Sequence, residues 1–184
     1  EGNRMEDDPG KLEQVFQRHG FDDYRWIDPE RIVLAQWVRM KCRFGCEEYG
    51  RNASCPPNLP SVAECEAFFR EYRRAAVFHF KKAVHSMEEL KKWVKVVHLR
   101  LVKLEKEVFL SGYHKAFALM VDSCCLCQDC TGEREICRNP KQSRPTVEAL
   151  AVDVYQTVRH AGYPIEVRSD FSQEMDRYAL LLVE

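Results

Sequence analysis

Apolar positions recur along this chain with two periods, one near 3.6 and one of short continuous runs, and the two sort it into helices and strands. Leu12, Val15 and Phe16 stand at helical spacing within Lys11 to His19, and Gly20 follows as a stop. The longest helical pattern opens at Ser86, a cap with Glu89 as its partner three residues on. Leu90, Val94, Val97, Leu101, Leu104 and Val108 then recur at alternating four and three, which predicts a buried stripe ending at Ser111-Gly112. A shorter helix is expected from Ser61, where Glu64 completes a capping box and Phe68, Phe69 and Tyr72 form the apolar side. Another is expected from Pro145 to His160, with Val147, Leu150, Val154 and Val158 facing inward.

Apolar, partly β-branched runs predict the strands: Arg31 to Met40 (one strand, or one with a break), Ala75 to Phe80, Lys115 to Val121, Ile165 to Val167 and Tyr178 to Val183. Asp7 to Gly10 and Tyr24 to Pro29 read as turns. Strands alternating with helices predict an α/β fold, a single-domain sandwich of a mixed sheet with flanking helices and two cysteine-rich metal-binding loops at strand ends. Glu1-Gly2-Asn3-Arg4 before Met5 reads as a cloning remnant. The expected division is therefore residues 1–10 as remnant and flexible N terminus, and 11–184 as one metal-binding domain.

Composition narrows the class. Hydrophobic residues make up 45% and charged residues 31%, an ordinary globular balance in a chain long enough for a real core. A net charge of -1 gives no global pull toward nucleic acid or a membrane surface, and neither is expected as a partner. With no signal peptide read at the start, the expected compartment is the reducing cytoplasm, where nine cysteines point to ligation rather than disulfides.

The cysteines carry the chemistry. Cys124, Cys127, Cys130 and Cys137 are spaced Cys-x2-Cys-x2-Cys-x6-Cys. The first intervals match the run that wraps a [4Fe–4S] cluster in bacterial ferredoxins, and the last is longer. Zinc is the competing metal, although zinc ribbons prefer two separated pairs. Cys42, Cys46 and Cys55 form a second set, with Gly45 and Gly50 allowing tight turns and Pro56-Pro57 fixing the exit. Three thiolates leave a coordination position open, and Lys41, Arg43 and Arg51 in the same stretch are candidates to meet an anion there. The second interval, x8, departs from the Cys-x3-Cys-x2-Cys of radical S-adenosylmethionine enzymes. Cys65, in a helical pattern, reads as a small buried side chain. Cys125 is spare. His79 reads as a core or edge histidine, and His85, His98 and His114 as scattered surface or packing residues.

These segments together resemble a known family. Lys41 to Cys46, Tyr49-Gly50, Cys55-Pro56-Pro57, the Cys124/Cys127/Cys130/Cys137 run and Arg144-Pro145-Thr146-Val147-Glu148-Ala149 look like the predicted metal-binding protein family, domain of unknown function 2284. The likeness covers nearly the whole chain. It implies Cys42, Cys46, Cys55, Cys124, Cys127, Cys130 and Cys137 as metal ligands, with Cys65 and Cys125 outside the pattern. Thr146 replaces a serine of the family motif, and Ala151-Val152-Asp153-Val154 stands where Gly-Ile-Asp-Val is common. The resemblance implies no reaction.

The expected function is thus metal binding, of the iron–sulfur type, in a redox or electron-transfer protein with a closed four-cysteine site and a second three-cysteine site. The alternatives are a metalloenzyme or metal- and sulfur-handling protein working at the open site, or a structural zinc module. The basic face of the long helix (Lys91, Lys92, Lys95, Arg100, Lys103, Lys106) reads as solvated, with docking of an acidic redox partner protein as the functional alternative.

Overall fold

The two longest apolar runs pair with each other along their whole length. In the computed structural model, which describes residues 9–167 and 174–184, β2 (Ala75–Lys82) lies antiparallel to β4 (Met175–Leu182), with Val77 opposite Leu180. β1 (Tyr24–Ile27) pairs with β2 and β3 (Phe117–Leu119) with β4, giving the order β1-β2-β4-β3. Helices cover both faces, so the α/β sandwich is present. Every ladder in it is antiparallel, and the parallel pairing expected of a mixed sheet is limited to one bridge, Met120 to Thr146.

Alternation along the strands builds two cores. Ala76, Phe78, Ala118, Ala179 and Leu181 face α1 (Pro9–Arg18) and α4 (Met87–Leu110). Ala75, Val77, Leu119, Leu180 and Leu182 face α3 (Val62–Phe69), α5 (Val154–His160) and the 3-10 turn Glu148–Leu150. Burial on both faces explains why the central strands read as unbroken apolar runs. The stripe of α4 is buried throughout, from Leu90 to Val108. Each such leucine removed from water stabilises the fold by about 1.5–3 kcal/mol. Ser86 Oγ accepts the Glu89 N–H at 3.1 Å, and the Glu89 carboxylate accepts from His85 N rather than from the cap itself. The full capping box forms at Ser61 and Glu64.

Five expectations are corrected. Tyr24–Ile27 is a strand, not a turn, because Tyr24 and Trp26 pack into an aromatic cluster with Phe16 and Phe78. Arg31 to Met40 is not a strand: Leu34 makes one bridge to Val152, and α2 (Gln36–Gly45) follows. Trp37, Met40 and Phe44 fall at i, i+3 and i+7 on the outer face of α2, while Val38 is buried. The helix from Pro145 is broken. Ala151 turns left-handed at φ 64°, its carbonyl accepts from Ala35 N at 2.9 Å, and α5 starts only after Asp153 caps it. Ile165 to Val167 carries no strand. Pro9 and Gly10 belong to the first turn of α1, and residues 1–8, read as remnant and flexible N terminus, lie outside the described residues. Among the described residues no helix is long and apolar enough to cross a membrane.

One buried ion pair locks the edge strand to the long helix. Glu105 on α4 receives Arg144 Nε at 2.9 Å and a second guanidinium N–H at 2.6 Å, and also the Ala118 N–H of β3 at 2.7 Å. Replacing Glu105 by alanine strands a guanidinium and a strand N–H, and is expected to cost roughly 3–5 kcal/mol in urea unfolding.

His98, fully buried on α4, donates from Nε2 to the Gln142 carbonyl, 2.8 Å away, which requires the proton on that nitrogen. Burial holds its pKa below the usual 6.5; the Gln142 bond and Glu105 oppose this and Arg144 reinforces it. Above 6.5 folded and unfolded chains are both neutral there. Below it the unfolded chain takes a proton that the folded one resists, so stability falls as the pH drops. The difference in urea midpoint between pH 7.5 and 5.5 is expected to shrink in His98→Gln.

Candidate metal centre

The first cysteine set is built on a helix end. Cys42 lies in the last turn of α2 and Cys46 is its C-cap, whose N–H reaches the Cys42 carbonyl at 3.3 Å. The x3 spacing therefore places both residues one helical turn apart on the same side. A run of tight turns then carries the chain back: Gly50, at φ 70°, donates to the Pro56 carbonyl at 2.9 Å, and Cys55 N donates to Asn52 O at 3.0 Å. As a result Cys42, Cys46 and Cys55 line one cavity of about 230 Å³.

The rest of that cavity comes from elements distant in sequence. Asp122 and Ser123 follow β3, Thr146 and Glu148 belong to the Arg-Pro-Thr segment, and Arg177 projects from β4. Burial pushes the Cys55 thiol up to about 12, with Glu48, Cys46 and Cys42 adding to it and the Ser123 hydroxyl, 3.8 Å from its sulfur, opposing. Burial raises Cys42 as well, and neighbouring Cys46 pushes the same way. Glu148 is exposed through the cavity mouth yet ringed by protein, and the loss of bulk water raises its carboxyl above the usual range. Arg177 is paired with Asp122 at 2.8 Å. The cation at this cavity is thus Arg177; Lys41, Arg43 and Arg51 do not line it.

The second set sits on an irregular loop held against the first. Buried Asn52 donates to the Cys124 carbonyl at 2.8 Å and to Glu48 at 3.0 Å. Asn58 donates to the Gly132 carbonyl at 2.8 Å. Two N–H groups point at sulfur: Ala53 N to Cys130 at 3.3 Å and Asn139 Nδ2 to Cys127 at 3.0 Å. Cys124, Cys127 and Cys137 are half-buried and Cys130 is exposed. None of these four lines the cavity of Cys42, Cys46 and Cys55. Among the described residues no three His, Cys, Asp or Glu side chains stand together at metal-ligand spacing. The helix expected from Pro145 begins only at Val154, so its N-terminus does not directly follow this loop.

The two spare thiols lie elsewhere. Cys65 is buried under α3 and donates to the Pro60 carbonyl at 3.7 Å. Cys125 turns toward α4, 3.4 Å from the Lys91 carbonyl, and burial raises its thiol to about 11. His79 takes a structural role, held between Asp23 and Asp176 at 2.6 and 2.7 Å. Sequence reasoning passed over Asp122, Glu148 and Arg177. Only Glu148 carried a signal, its place in the Arg-Pro-Thr-Val-Glu-Ala segment.

The donor set suits a soft metal: three thiols share a cavity with two carboxylates, one of them, Asp122, held by Arg177, and N–H donors stand at two further sulfurs. Fold and site define a cysteine-rich α/β protein whose thiols are gathered beyond the end of β3. The family described as Predicted metal-binding protein (DUF2284) matches residues 25–183, and the chain belongs to it. No curated protein and no solved structure matches the chain.

Asn52 ties the two loops together through both ends of its amide, its Oδ1 accepting from Ser54 N at 3.1 Å. Asn52→Leu leaves the Cys124 carbonyl and Ser54 N–H without that partner. It is expected to lower stability by about 1–3 kcal/mol in denaturant unfolding of metal-free protein.

Proposed function

We propose that this chain is an iron–sulfur redox protein with two thiolate centres. Cys124, Cys127, Cys130 and Cys137 would hold a [4Fe–4S]-type cluster in a closed site. Cys42, Cys46 and Cys55 would hold a second one with an open position. The observation that carries the reading is the cavity: three cysteines from a helix end and a returning loop meet on its walls, and neither spare thiol joins them.

A bound iron–sulfur cluster supplies one-electron transfer, and a three-thiolate site leaves one iron free for substrate or a borrowed ligand. The chain's own residues do the rest. The N–H groups of Ala53 and Asn139 donate to the sulfurs of Cys130 and Cys127, hydrogen bonds of the kind that tune a bound cluster's potential. Glu148 stands at the open cavity, where the loss of bulk water raises its carboxyl above the usual range. Arg177, offset by Asp122, places a nearly balanced dipole there rather than a free cation. Thiols kept reduced for this purpose fit a cytoplasmic setting with a redox partner protein. The second reading is zinc at Cys42, Cys46, Cys55 and Glu148, which line one cavity.

Anaerobically prepared protein is expected to be brown and to contain iron and acid-labile sulfide. Cys46→Ser should remove part of the iron and Cys127→Ser another part. Colourless protein holding stoichiometric zinc alone after anaerobic reconstitution would overturn the iron–sulfur reading. Loss of all iron from either single variant would replace two centres by one shared centre.

A further inference from the structure

A second cavity, of about 270 Å³, lies beside the thiol cavity and is different in kind. Its walls are apolar, with Leu59, Phe68, Phe117, Pro145 and Leu150 among them. The Phe68 and Phe117 rings meet edge to face at 5.4 Å and 79°. A third element, α3, adds the buried Cys65. The size matches one or two rings rather than a nucleotide, falling just below the roughly 300–1,000 Å³ of drug-sized sites.

The polar groups on its walls are mostly committed. Ser54 Oγ and Ser143 Oγ bond each other at 2.9 Å, and Asn58 serves the Asn52 and Gly132 carbonyls. Arg144 is held by both oxygens of Glu105. Arg134 differs. Its hydrogen bond goes to the Pro140 carbonyl at 2.8 Å, and no carboxylate pairs with it among the described residues. A half-buried guanidinium without a counter-charge on the wall of an apolar cavity is complementary to an anion carried on an apolar body. With Arg144 neutralised, one positive charge remains, which matches a monoanion rather than a dicarboxylate or a phosphate ester.

We infer that this cavity binds a small aromatic monocarboxylate, its ring against Phe68 and Phe117 and its carboxylate on Arg134. The proposal does not depend on which metal the cysteines hold.

Calorimetric titration of the full chain with 2-naphthoate, and separately with its neutral isostere 2-naphthamide, tests it. Saturable binding of naphthoate at one site, about tenfold or more tighter than the amide, is expected. Arg134→Gln should erase that preference while leaving amide binding in place, which also shows that the cavity is intact. Leu59→Trp should weaken both ligands at an unchanged melting temperature; where that variant does not fold, Arg134→Gln carries the decision. Absence of saturable naphthoate binding, or a carboxylate preference that survives Arg134→Gln, overturns the proposal, as does a folded Leu59→Trp that binds both ligands unchanged.

Discussion

The Glu105 carboxylate, buried between α4 and β3, is the constraint on which the rest of the cysteine-bearing end depends. Its partners are Arg144 and the outward N–H of Ala118, and it accepts all three bonds on two oxygens. β3 is an edge strand, and an unpaired edge invites wrong pairing. Here the edge is closed from two directions, by Glu105 at Ala118 and by the Pro145 carbonyl at Met120 N, 2.9 Å away. Both closures come from the segment around Arg144-Pro145 and the helix facing it. That segment follows the second cysteine loop, while β3 leads into it. The loop is therefore clamped at both roots, whatever its sulfurs hold.

The two cysteine sets differ in how much of their arrangement is made without metal. Cys42 and Cys46 inherit their placement from a helical turn, and Cys55 from backbone hydrogen bonds through residues 46–58. Those constraints are local and bring three thiols to one cavity. The second set has no regular structure between Cys124 and Cys137, and its contacts to the first loop run through Asn52, Ala53 and Asn58. Ligand sets of that kind ordinarily complete their geometry when the metal arrives, because binding energy also orders the loop.

Strong periodicity was legible, and weak periodicity was not. The stripe of α4 and the apolar runs of β2 and β4 announce themselves because each is long and buried on a defined face. The region from Arg31 to Met40 misleads because Ile32, Val33 and Leu34 are β-branched or apolar, while the residues after them form a helix with Trp37, Met40 and Phe44 outward. The helix expected through Ala151 fails for a tertiary reason. Residues 33–35 compete for its backbone and bond to Ala151 O and Asp153 N. The cysteines were visible as a chemical set from spacing alone. Asp122, Glu148 and Arg177 were not, since three unrelated segments bring them to the cavity and no local pattern records that meeting.

The same segments build both cavities, one on each side. Ser54 faces the apolar cavity and Cys55 the thiol cavity; Ser143 and Pro145 line the first, Thr146 the second; Leu150 the first, Ala149 and Glu148 the second. Consecutive residues in extended or tightly turned backbone point to opposite sides, so the wall between the cavities is a single layer of chain. Buried Asn52 and the Ser54–Ser143 pair hold that layer, all three side chains being nearly inaccessible to solvent. A densely packed wall of this thickness does not deform on one side alone. The spacing of Cys55 from Cys42 and Cys46 is thus set partly by what packs against Ser54, Pro145 and Leu150.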